Sequence, residues 1–227
     1  MTARAHGRPR IRRLASVVPV VVFVVALAGC TPNPAPAEQP YPEVSWPDGE
    51  PSGPYEADAA VKATRDALIA MAVAANRNDF RLPELVDTVG YEVRTELWSA
   101  AEQRLQDGEA TELSPGPLPF EVTSVTADGD GSRVRGCALD DWASADGTRP
   151  SSTPGTGSMS GREFRLTTVD GEMKVDAVIV ATQDDCSSAA PAQGFFSPAP
   201  VPSTITDPED VQKPLTDEQS KASPSAG

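Results

Sequence analysis

Residues 163–181, EFRLTTVDGEMKVDAVIVA, decide the fold. Phe164 and Leu166 alternate with polar neighbours from Glu163 to Val169, the period of two that belongs to a strand. Asp170-Gly171 is a hairpin turn, because both residue types tolerate positive φ. Met173 to Ala181 then forms the most apolar strand of the chain. Working back from this hairpin, Ser132 to Trp142 alternates Val134 and Gly136 against Arg133, Arg135 and Cys137. Asp128-Gly129-Asp130-Gly131 is a turn signal before it, and Phe120, Val122 and Val125 open a further strand after Pro117. Ser151 to Ser160, rich in Ser, Gly and Thr, reads as a loop between the second and third strands.

Upstream the period lengthens. Tyr55 to Asn76 is rich in alanine, with Val61, Leu68, Met71 and Ala75 at helical steps. Glu56 and Asp58 stand in its first turn, where the helix dipole favours acids. Arg81 to Asp87 predicts a short second helix with Pro83 in its first turn. Glu92 to Asp107 predicts a third, with Val93, Leu97, Ala101 and Leu105 four residues apart and Gly108 beyond its end. Helices first and antiparallel strands afterwards make an α+β domain, residues 55–186, long enough for one sizeable core.

The segments on either side are of another kind. Residues 1–29 hold five arginines, no acid and the apolar run LASVVPVVVFVVALAG, a secretory signal layout. The run is short of the roughly 20 apolar residues of a membrane span. Its end, Leu27-Ala28-Gly29-Cys30, resembles the lipobox of bacterial lipoproteins. That resemblance implies cleavage between Gly29 and Cys30, a diacylglyceryl group on the Cys30 thiol and an anchor in the outer face of the cell membrane. Residues 30–54 are a Pro-rich tether, expected in extended polyproline II form and able to span on the order of 70 Å. Residues 187–227, dominated by Pro, Ser, Ala and acids, read as a disordered tail.

Removing the signal takes five of the 19 bases and leaves all 33 acids, so the mature charge is −19. So acidic a surface repels phosphate backbones and disfavours nucleic acid. The sole histidine, His6, leaves too, and with it imidazole for general base work or for a zinc or copper site. No cofactor and no metal site are expected. With Cys30 acylated, Cys137 and Cys186 are the two cysteines left, and in an exported protein they pair.

A lipobox, a Pro-rich tether, a long helix, a short helix, a third helix and four antiparallel strands resemble the NTF2-like (cystatin-like cone) lipoproteins of actinobacteria. Arg133-Val134-Arg135-Gly136-Cys137-Ala138-Leu139-Asp140-Asp141, Asp170-Gly171-Glu172-Met173-Lys174-Val175 and the later Cys186 carry the resemblance. Met173 stands where such proteins often have Trp. The resemblance covers residues 30–186 and implies helices packed on a curved sheet of about four strands. Fold alone does not name an activity, since one fold hosts many.

Other constellations are weighed against plainer readings. Asp128-x-Asp130-Gly131 lacks the later ligands of a calcium loop and reads as a turn. Adjacent acids at Asp140-Asp141 and Asp184-Asp185 point to opposite faces of a strand, so they read as solvated strand ends rather than dyads. Gly157-Ser158-Met159-Ser160-Gly161 has Met at the nucleophile position of an elbow and reads as loop. Tyr91, Trp98, Phe120, Trp142 and Phe164 are candidates for lining a pocket in the cone, and equally for plain core. Three functions follow. The leading one is a non-enzymatic, lipid-anchored module that binds an envelope protein. The second is a carrier of a small apolar ligand in a cone-shaped pocket. The third is a proton-transfer enzyme that works without His, through Asp, Glu or Tyr.

Overall fold

The computed structural model describes residues 39–145, 147, 148 and 158–222. Gly29 and Cys30, with the signal and the first part of the tether up to residue 38, lie outside them. Among the described residues, no helix is long and apolar enough to cross a membrane.

The chain enters through a short strand, β1 (Glu43–Ser45), and then forms three helices: α1 (Ala59–Arg77), α2 (Pro83–Thr88) and α3 (Tyr91–Gln106). Helix α1 starts later than its composition suggests, because the Asp58 carboxylate accepts from Ala60 N at 2.8 Å as an N-cap. It ends at Asn78, whose left-handed φ of 52° lets its N–H reach Ala74 and Ala75 carbonyls. Pro83 opens α2 at the position where a missing N–H costs nothing.

Four strands follow: β2 (Phe120–Asp128), β3 (Gly131–Leu139), β4 (Met159–Val169) and β5 (Glu172–Ala181). They pair antiparallel in sequence order. Asp170 and Gly171 both take positive φ at the last hairpin, as the two-residue turn requires. Val134 faces Phe164, both buried in the core on the helix side of the sheet, and Phe164 in turn faces Val178, which is exposed. Gly136 sits in that face because the Phe120 ring lies over it; a Cβ there would come within 2.8 Å of ring atoms. β-Bulges interrupt the registers between Val122 and Ser124 and between Arg165 and Leu166. The core is the helix-facing side: Phe120, Val134, Phe164, Leu166 and Val175 against Val61, Leu68, Leu85 and Val93. The exposed edge of β5 is partly covered, since Gly90 N donates to Val175 O at 2.8 Å. The α+β reading of the central domain holds.

Three expectations are corrected. Met159, Ser160 and Gly161 are not loop; they begin β4, paired to Leu139, Ala138 and Cys137. A Gly/Ser-rich start hid a strand whose partner supplies the apolar side chains. The second correction concerns the tether. Val44 of β1 pairs with Phe196 of β6 (Phe195–Ser197), and Tyr41 and Val44 pack on the core.

The third concerns the segment after Cys186. Residues 187–222, read from composition as disordered, run along the domain and include β6, a 3-10 turn at Pro208–Asp210 and α4 (Asp217–Ala222). Phe196 and Val211 are 5% and 4% exposed. The physical reason is that a proline-rich strand needs few apolar residues when a finished domain supplies the other side of each contact. Gly194 makes one such contact: a Cβ there would meet Val44 at 2.6 Å and the Trp46 ring at 2.8 Å.

Candidate functional site

The end of the sheet nearest the start of α1 carries a cleft of about 1130 Å³. One wall is the entering chain, Asp48 to Ser52; a second is the strand ends Phe120, Leu139 and Met159; a third is the returning chain, Ser187 to Gln193. Arg65 on α1 reaches in but is fully engaged. Its Nη2 and Nε bond Glu56 at 2.7 and 3.3 Å, and its Nη1 donates to Phe120 O at 2.7 Å. Glu121 accepts from Ala190 N at 2.7 Å, which ties the returning chain to the sheet. Among the described lining residues four are acids, Asp48, Glu50, Glu56 and Glu121, against the single base Arg65. Glu56 is paired with Arg65 and Glu121 accepts from Ala190 N, so the cleft presents a net negative lining beside the apolar Phe120, Leu139 and Met159.

Cys137 and Cys186 form a disulfide, with Cα atoms 5.6 Å apart and a sequence separation of 49. It pins the segment just after β5 to the interior strand β3 and fixes where the returning chain sets out along the cleft. Both cysteines are buried.

The five aromatic candidates are not gathered around one cavity. Phe120 and Phe164 meet edge to face with centroids 5.0 Å apart inside the core, and Phe120 also reaches the cleft wall. Trp142 is buried, gives its Nε1–H to Gly116 O at 2.9 Å and leans on Phe195. Trp98 donates to Val211 O at 3.0 Å. The Tyr91 ring carries the Arg94 guanidinium 5.8 Å from its centroid.

Neither pair of adjacent acids lies within a strand, since β3 ends at Leu139 and β5 at Ala181. The Ser158 hydroxyl lies 3.4 Å from the carboxylates of both Asp140 and Asp141. Asp140 is held by Ser160 and Arg162, each at 2.6 Å, while Asp141 is exposed. Asp185 accepts from Ser187 N at 3.1 Å, and hydrogen bonding by Ser187 holds its carboxyl below the usual carboxylate range. Asp128 is likewise held low by its hydrogen bond from Arg133. Among the described residues, no three His, Cys, Asp or Glu side chains gather as a metal site.

Sequence reasoning missed Arg94. It is 0% exposed, yet it stands in the first turns of α3, where a cation opposes the helix dipole. Its guanidinium binds the Asp217 carboxylate and donates to Leu215 O at 3.0 Å. Burial pushes its pKa down, opposed by Asp217. The signal available beforehand was an arginine one residue after a core position, at the wrong end of a helix.

No family model matches the sequence, and no curated protein matches it. Among solved structures, a de novo designed β-sheet protein studied by NMR in solution is 20% identical over 59% of this chain and 97% of its own, with a TM-score of 0.30. A likeness so slight carries no argument.

Proposed function

We propose that the chain is a lipid-anchored binding module on the outer face of the cell membrane, built on an NTF2-like cone and anchored through Cys30. The signal-and-lipobox layout supports the anchor. Three helices followed by an antiparallel meander with two β-bulges, which bend strands, support the cone. The observation that carries the binding reading is the cleft of about 1130 Å³ walled by both chain segments that leave the domain. Its volume lies just above the ~300–1,000 Å³ usual for small-molecule pockets. Its charge selects a basic and partly apolar protein segment as the ligand. The reading assigns no catalysis to the cleft; turnover of any substrate that is lost in Glu50→Gln overturns that part.

Two arms test it in cells. Cys30→Ala should move the protein from the membrane to the soluble extracytoplasmic fraction; retention at the membrane sinks the anchor. A photo-crosslinker placed at Glu50 should capture one envelope protein, and Met159→Asp should abolish that capture. Capture unchanged by Met159→Asp, or none at all, sinks the cleft as the binding site.

The second reading, a carrier of a small apolar ligand, is favoured by one observation: Phe120, Leu139 and Met159 together form the apolar floor. Native mass spectrometry of protein purified from membranes separates the two. A stoichiometric mass adduct released by solvent extraction supports the carrier, and its absence leaves the protein-binding reading.

A further inference from the structure

The face of the sheet turned away from the helices carries a cluster of positive charge. Val134 and Phe164 point into the core, so their strand neighbours Arg133, Arg135 and Arg165 stand on the opposite face. The register lays them out as a block. Arg133 is directly across from Arg165, and Arg135 is directly across from Glu163. Thr126 and Ser124 of β2 flank the two rows on one side, and Ala177 and Ile179 of β5 flank them on the other. Glu163 is the single acid in these two rows.

The acids orient the arginines from beneath. Glu163 is 6% exposed, with Arg135 Nε 3.0 Å from one carboxylate oxygen and Arg165 Nε 2.9 Å from the other. Arg133 Nε donates to Asp128 at 2.8 Å. Each arginine is thus held by its inner nitrogen, and its side chain is 40%, 44% or 45% exposed. Among the described residues, no hydrogen bond engages the Nη groups of these three, so three forks of N–H donors face outward. Like charges directly across a strand pair destabilise it. Arg133 and Arg165 are such a pair, in a chain whose 33 acids outnumber its 19 bases. Three bases against Glu163 and Asp128 leave the block positive in a protein of net charge −14. An anion that bridges the facing pair turns this repulsion into attraction.

We propose that this face binds a small phosphorylated solute, its phosphate seated between Arg133 and Arg165 with Arg135 closing the third side. A guanidinium fork matches the oxygens of a phosphate. Three forks offer more N–H donors than the two oxygens of a carboxylate take up, whereas a phosphate monoester has three terminal oxygens. Ser124 and Thr126 stand at the rim as further O–H donors. The acidity of the rest of the chain selects a small ligand. An anionic bilayer or a nucleic acid meets the field of the whole protein, while a small ion meets the charges within about 8 Å at physiological salt. The inference rests neither on the cleft nor on the lipid anchor.

The test uses the full chain in neutral detergent, with inorganic phosphate as probe at constant ionic strength. Isothermal titration should show saturable one-to-one binding. Arg135→Gln and Arg165→Gln should each weaken it at least tenfold. Arg165→Lys, which keeps the charge and loses the fork, should weaken it at least threefold. Lys62→Gln removes the same charge from an exposed position on α1 and should change it less than twofold. Phosphate that binds the folded state should also raise the urea midpoint of the natural chain more than that of Arg165→Gln, which separates lost binding from lost folding. The proposal is overturned if phosphate does not bind, or if Lys62→Gln weakens binding as much as Arg165→Gln. A glutamate-rich peptide that binds more tightly than phosphate, and loses its binding in Arg165→Gln, overturns it in favour of an acidic protein. Sedimentation of the Cys30→Ala chain with phosphatidylglycerol vesicles, lost on adding Arg165→Gln, overturns the small solute and makes the bilayer the ligand.

Discussion

Phe164 and Val211 are both buried, 0% and 4% exposed, yet they report two different kinds of order. Phe164 lies in the middle of the sheet, ringed by side chains that exist only because the strands and helices assemble together. Val211 lies on a segment whose backbone is held by side chains of a domain already complete. The first region is cooperative, so its local opening costs the whole fold. The second is a strap, held by a short row of side-chain hydrogen bonds to its backbone and anchored in the core by Val211.

The largest expected effect sharpens the cooperative side. Phe164→Ala should cost about 3–5 kcal/mol, the range for a buried aromatic truncated to alanine. Urea unfolding followed by tryptophan fluorescence measures it. A loss near 1 kcal/mol would mean that the sheet centre repacks and is not the frame.

The disulfide sits at the junction of the two regions. Replacing both Cys137 and Cys186 by alanine should cost about 2–4 kcal/mol, since the bond closes a loop of 49 residues. Hydrogen exchange should rise most after Ala181, where the returning chain loses its pin. Two alkylatable thiols in the mature protein under non-reducing conditions contradict the bond itself.

Val211→Ala separates core from strap. It should lower global stability by no more than about 1–2 kcal/mol, the worth of the apolar groups removed. It should also raise amide exchange over residues 203–217 while leaving β3 and β4 unchanged. If β3 and β4 exchange faster to the same degree, the strap folds with the core and the distinction between them fails.

How much of this was legible follows the same division. The hairpin at Asp170-Gly171 was readable because turn chemistry and period-two patterning are local. The helices were readable from spacing, to within a few residues; α1 was shortened because Asp58 serves as its cap rather than as a first-turn acid. The disulfide followed from counting. The strands β1 and β6 were not readable, because three residues in a proline-rich context carry no period and each forms only against the other. The strap was hidden for the same reason: its contacts are to backbone carbonyls, which every sequence has. The cleft's chemistry was hidden too, since Asp48, Glu50, Glu56 and Glu121 converge only when the entering chain turns over the strand ends. Trp98 and Tyr91 looked like pocket residues because aromatic composition does not say which side of a helix is covered from outside the domain.

The smallest expected effect tests whether the entering chain belongs with the strap or with the core. Tyr41 lies just before β1, and its hydroxyl pKa is pushed up to about 12, by burial first and then by Glu84, with Asp66 adding and Arg77 opposing. A raised pKa means that the native state keeps the phenolic proton after the unfolded chain has lost it. Stability from this group is therefore full below pH 10, falls as the pH rises from 10, and is lost by about pH 12. Tyr41→Phe should remove this decline, so the urea midpoints of the two proteins, compared at pH 9 and pH 11.5, should converge or cross on the alkaline side. The effect is modest because the ring is only half-buried and its charge is partly screened by solvent. Parallel midpoints across that range would place Tyr41 in solvent, and β1 with it on the detachable side of the molecule.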